Sequence, residues 1–200
     1  DPPYNVFPSF TVNGPSWRYN GEFTYTRGPW SLRGEYDQML MHRDFLGSLT
    51  PGGLGFVNLP GVYGKAYYVS TSYLLTGEKK PENGIPRVKH ALLGPETPGG
   101  GGKGWGAWEL AARYSWIHAK EPGLNCTPPS PLPCANVFTP DNVAEFNAHT
   151  DAFTAGINWY PNYWVKYQIN FELNRLKDPS VIGIVPQNYF VILQRLQFRF

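Results

Sequence analysis

Apolar–polar alternation, a heavy aromatic load on one of the two faces it creates, and runs long enough to cross a bilayer predict an all-β fold, a transmembrane antiparallel β-barrel. Aromatics make up 16% of the 200 residues and charged residues only 16%, where a soluble domain carries about a quarter charged. The 22 Gly and 20 Pro supply many turn formers and, scattered among Tyr and Trp, disfavour long helices. No apolar stretch approaches the roughly 18 residues of a transmembrane helix. A net charge of +2 is too small to point to nucleic acid. The opening DPPYNVFPSF lacks the basic and apolar regions of a signal peptide, so any leader is expected to be absent or already removed.

Seven runs alternate with period two. In 17–26, Trp17, Tyr19, Phe23 and Tyr25 oppose Arg18, Asn20, Glu22 and Thr24. In 30–37, Trp30, Leu32 and Tyr36 oppose Arg33, Glu35 and Asp37. Residues 63–75 set Tyr63, Tyr67, Val69, Tyr73 and Leu75 against Ala66, Ser70 and Ser72. Residues 107–117 set Trp108, Leu110, Tyr114 and Trp116 against Glu109, Ala111, Arg113 and Ser115. In 152–159, Phe153, Ile157 and Trp159 oppose Thr154, Gly156 and Asn158. In 163–174, Tyr163, Val165, Tyr167, Ile169, Phe171 and Leu173 oppose Lys166, Gln168, Asn170 and Glu172. The last run, 188–200, sets Phe190, Ile192, Leu196, Phe198 and Phe200 against Arg195, Gln197 and Arg199.

A two-residue turn at Gly28-Pro29 pairs Arg27 with Trp30, Tyr25 with Leu32 and Phe23 with Gly34, so the aromatic faces of both runs coincide. The next tight turn, Tyr160-Pro161-Asn162, must hold an odd number of residues, because both flanking apolar sets are odd. Long loops are expected at 43–61, 118–148 and 176–187, with a single helix start at Thr139-Pro140-Asp141. The final run, apolar at every second position to Phe200, resembles the signal read by the barrel-assembly machinery. It puts the tight turns in the periplasm and the long loops outside. Connection 77–106 falls on the periplasmic side although it is long. Its length and Gly content suit a segment that folds inward, and its net basic charge a pore narrowed with positive potential; the alternative is a dangling linker.

The aromatic face is expected to meet lipid rather than a second sheet. Large aromatics crowd the strand ends (Tyr25, Trp30, Trp159, Tyr160, Tyr163, Trp164, Phe198), as in interfacial girdles. Strands of about twelve residues, tilted, span about 28 Å. The opposite face then lines a wide aqueous lumen, and its pore-lining candidates are Arg18, Glu22, Arg33, Glu35, Glu109, Arg113, Lys166, Arg195 and Arg199, with Asp37 and Glu172 beside them. Seven strands cannot close such a barrel without leaving backbone groups unpaired in lipid. Residues 1–200 are therefore expected to be the C-terminal part of one barrel domain of about 16 strands.

The chemical motifs are few. Glu22 and Glu35 face each other, a spacing found in glycosidases, but a wet pore lacks the desolvation that raises a carboxyl pKa. An acid–base cluster bridged by Arg33 is the plainer expectation, and no catalytic residue is assigned. Gly99, Gly101 and Gly104 match a nucleotide-binding pattern without the following helix. His42, His90, His118 and His149 are expected at strand ends or in loops as solvated residues, with no metal site and no cofactor. Cys126 and Cys134 suit a disulfide in an oxidising compartment, the alternative being two free loop thiols.

GPWSLRGEY (28–36), SYLLTGEKKP (72–81), GWGAWELAARYS (104–115), AGINWYPN (155–162) and LQFRF (196–200) resemble, in this order, the phosphate-selective porin O and P family. The resemblance implies a 16-stranded barrel of the Gram-negative outer membrane, usually a homotrimer. It implies passage of small anions through a lumen narrowed by inserted connections and lined with bases. The lipid bilayer and lipopolysaccharide are then the surroundings. The polar face mixes acids with bases, so the expected selectivity is a weak anion preference carried by Lys166, Arg195 and Arg199. The alternative is a barrel that anchors an envelope partner through its long outer loops.

Overall fold

The computed structural model describes residues 14–50, 53–82, 85–92, 103–121, 146–177 and 188–199, with backbone only at 43–50, 53–60, 121 and 146. They form one antiparallel sheet whose strands follow chain order. The strands are β1 (Ser16–Arg27), β2 (Trp30–Thr50), β3 (Gly53–Leu74), β4 (Ala107–Glu121), β5 (Phe146–Tyr160), β6 (Val165–Lys177) and β7 (Asn188–Phe198). All seven runs of alternation are therefore strands. Among the described residues β1 and β7 are the open edges of the sheet, and the cysteines, the helix start at Thr139 and Gly99–Gly101 lie outside them.

The first hairpin has the expected register, with Tyr25 opposite Leu32 and Phe23 opposite Gly34. Gly28 has φ +58°, which the first central position of a type II′ turn requires. The expected loop at 43–61 is instead a continuation of the ladder. β2 runs to Thr50 and β3 starts at Gly53, with a register shift between Met41 and Arg43. Backbone pairing does not need an apolar face, so the ladder persists where the alternation fades. For the same reason β4 reaches Glu121 and β5 starts at Phe146.

The second tight turn is displaced. Its odd parity holds, but Trp159 pairs with Tyr167, which centres the turn on Tyr163 rather than Pro161. Asn162 Oδ1 accepts hydrogen bonds from the backbone N–H groups of Trp164 and Val165 at 2.8 and 2.9 Å. That local closure takes Tyr163 and Trp164 out of the strand.

Parity sorts the side chains. One face is aromatic and remains bare among the described residues: Trp17 is 59% exposed and Phe190 58%. Its large rings gather into two belts. Near the tight turns Tyr25 meets Trp30 edge to face, with centroids 5.7 Å apart, and Trp108 stacks on Trp159 at 5.6 Å. Tyr67, Tyr114 and Trp116 form the other belt. Trp108 and Trp116 stand about 26 Å apart along β4, or about 20 Å once tilted, close to the height of an apolar band between girdles.

The buried cluster lies at the tight-turn end, where Leu74, Ala107 and Tyr160 of the sheet meet Val88 and Ala91 of connection 75–106. This connection is tied down at both sides. Lys80 N–H donates to Gly28 O at 2.8 Å, and Leu92 N–H to Pro161 O at 2.8 Å. It thus straps one tight turn to the other. A second small cluster, Val62 and Ala148 with Met41 and Ala119, interrupts the polar face at the opposite end; the sequence reading did not anticipate it.

Gly106 closes the strap with φ +78°, and an added Cβ would lie 2.3 Å from Tyr160 O. Gly106→Ala is expected to cost about 2 kcal/mol, read as a lower urea midpoint in detergent. Gly21→Ala, with no atom near its added Cβ, should leave the midpoint within ~0.5 kcal/mol of the parent.

Candidate functional site

The registers place eight of the nine pore-lining candidates on the face opposite the aromatic one, and Arg199 follows just past β7, its N–H on Trp164 O at 2.9 Å. Arg33, Ser70, Arg113, Thr154 and Glu172 are successive cross-strand partners and form one rung across five strands. Glu109, Asn158, Gln168 and Arg195 form another, nearer the tight turns. Between and around them lies a concavity of about 650 Å³, whose lining includes Arg33, Glu109, Arg113 and Lys166. Arg18, Glu22, Glu35 and Arg195 share the face, and neither they nor Arg199 line this concavity.

Glu109 lies near the tight-turn end of the polar face and is 1% exposed. Its Oε2 accepts from Tyr160 Oη at 2.6 Å and Asn158 Nδ2 at 3.0 Å, while Oε1 pairs with Lys80 Nζ. A buried carboxylate is tolerated only when its lone pairs are filled in this way. Lys80 comes from the strap, so this pair anchors the inserted connection to the wall. The described parts of the connection dock on the polar face, with Lys80 paired to Glu109, Val88 and Ala91 packed on Leu74, Ala107 and Tyr160, and Lys89 held by the carbonyl of Gly77 at 3.0 Å.

Three further bases lie over aromatic rings. Lys166 lies over the Tyr160 ring at 5.6 Å and Arg113 over the Tyr68 ring at 4.1 Å. Both contacts orient a cation without neutralising it. Arg199 sits over Tyr163 at 4.9 Å, drawn to the turn. Glu172 accepts from Asn174 at 2.8 Å and Thr154 at 3.2 Å rather than from a base. The acid pair Glu22 and Glu35 does face across β1 and β2, but Arg33 does not bridge it. Asn20 Nδ2 instead joins Glu35 at 3.0 Å to Asp37 at 2.7 Å, because Asn20 is the direct partner of Asp37 while Arg33 lies opposite Thr24.

Three participants escaped the sequence reading. Tyr160 was expected in the girdle, yet its even position on β5 turns it inward, where it is 2% exposed. Parity carried that signal; the crowd of aromatics around the turn obscured it. Tyr68 has the same even parity as Ser70 but interrupts a polar series. Lys80 belongs to a connection, where alternation says nothing. The histidines are also corrected: His42, His118 and His149 lie within strands, and His118 pairs directly with His149. No metal-binding group of His, Cys, Asp or Glu occurs among the described residues.

The arrangement is a wall with one lipid-compatible face and one wet, charged face, and no described residue or match supports the anchoring alternative. No curated protein matches the chain. A family model does, that of phosphate-selective porin O and P, a class of outer-membrane channels rather than enzymes. It covers residues 7–200, and the chain belongs to this family.

Proposed function

We propose that the protein is an outer-membrane porin for passive diffusion of small hydrophilic solutes, with a weak anion preference. The observation that carries this reading is the charge balance of the polar face near the tight turns. Glu109 is buried and saturated, whereas Lys166 and Arg195 on β6 and β7 have no carboxylate bound to them among the described residues. A positive field focused there biases ion entry even in a chain of net charge +2. The residues described are the C-terminal wall of a larger barrel of about 16 strands, working as a homotrimer with the tight turns in the periplasm. Small anions pass along the rungs of Arg113 and Lys166.

Three outcomes test this in the full-length porin. Replacing Lys166, Arg195 and Arg199 together with Gln removes about half a kT of local potential, so the anion-to-cation permeability ratio should fall roughly two- to threefold. Reversal potential in a salt gradient measures it, and an unchanged value overturns the selectivity.

The strap gives the second. Lys80→Ala leaves Glu109 buried without its cation, a loss of about 3 kcal/mol, seen as a lower urea midpoint with larger or noisier conductance steps. Lys80→Met with Glu109→Gln should recover most of the lost stability, since Asn158 and Tyr160 can still bond the amide.

Orientation supplies the third. Protease shaving of intact cells should cut within 122–145 and spare 75–106; the reverse pattern overturns the topology.

A further inference from the structure

The aromatic face carries one basic rung that solute passage does not use. Lys65 pairs with His118, His118 with His149, and His149 with Lys177. Four adjacent strands, β3 to β6, therefore each place a basic residue at the same height, in the parity series of Tyr67, Trp116, Phe153 and Leu173. Lys65 and Lys177 are exposed. The rings of His118 and His149 are 6.4 Å apart, and His118 Nε2 is held 2.6 Å from Asn147 Oδ1.

The neighbouring rungs sharpen the picture. One rung further from the tight turns stands Lys120, opposite Asn147. One rung nearer stand Tyr67, Trp116, Asp151 and Arg175. Asp151 is the one carboxylate on these rungs of this face among the described residues; it accepts from Tyr114 Oη at 2.7 Å and lies opposite Arg175. None of Lys65, Lys120, Arg175 and Lys177 is ion-paired among the described residues. Cations at this height sit just beyond an aromatic girdle, at headgroup level, because deeper placement in hydrocarbon is costly. The rung spans three inter-strand spacings, about 14 Å, room for more than one phosphate group.

We propose that this rung binds the phosphates of an outer-leaflet phosphorylated glycolipid of the lipopolysaccharide class. The assignment rests on the orientation given above, with the long connections outside. Charge complementarity supplies the attraction, the girdle seats the acyl chains, and the exposed lysines flank the histidine pair.

The test uses the full-length porin in detergent, titrated with purified lipopolysaccharide, with the same lipid enzymatically dephosphorylated, and with phosphatidylglycerol. The parent should bind lipopolysaccharide about tenfold more tightly than the dephosphorylated form. The variant Lys65→Gln/His118→Gln/His149→Gln/Lys177→Gln should lose about the same factor while its single-channel conductance is unchanged. If that variant does not fold, Lys65→Gln and Lys177→Gln, both at exposed positions, should each weaken binding about threefold. Equal binding by parent and variants, equal binding of the dephosphorylated lipid, or preference for phosphatidylglycerol overturns the proposal. A parent with no channel steps would instead sink the porin reading, which the lipid titration does not touch.

Discussion

Lipid offers the backbone no hydrogen-bond partner, and every other feature of this chain follows from that constraint. A polypeptide crossing hydrocarbon as strands must pair each N–H and C=O with a neighbouring strand. Pairing imposes a pleat, and the pleat sends successive side chains to opposite solvents. One register decision therefore commits a whole strand: a one-residue slip would carry Arg113 into the acyl chains and Tyr114 into the water. The six registers agree with one another across the sheet, so each strand holds the next in phase.

Within the wet face, the position of Glu109 is the second organising fact. A carboxylate with almost no exposure has to draw its donors from wherever they can reach it. Here they come from three places in the chain: Tyr160 and Asn158 of β5 and Lys80 of the strap. Glu109, the acid on the rung of Arg195, is occupied in holding architecture. Near the tight turns the acid–base mixture is thus uneven, since Glu109 is already held by Lys80 while Lys166 and Arg195 bind no carboxylate among the described residues; elsewhere on the face Glu35 and Glu172 bond amides and a hydroxyl rather than bases.

The strands and the division into two faces were legible because the period-two pattern is the direct trace of two different solvents. Glu22 opposite Glu35 followed from turn length alone. Legibility failed where another influence overrode the pattern. The continuation of β2 and β3 past Met41 has no period-two signature in the sequence, and backbone pairing does not require one. The turn around Pro161 moved because Asn162 captures two backbone donors, a contact invisible to parity. Lys80 could not be found from spacing, since a connection has no fixed face until it docks. The pairing of His118 with His149 emerges only once the long segment between their strands is closed by the ladder.

The strap has a mechanical consequence. Because it bonds to the turn between β1 and β2 and also to the turn between β5 and β6, it bridges strands that never touch one another. A sheet closed by ladders alone can shear, each strand gliding along its neighbour. A tie across several strands opposes that glide collectively, as a diagonal brace stiffens a frame. Such a tie forms only after both hairpins exist, so it closes late in assembly and seals a register the hairpins have already chosen.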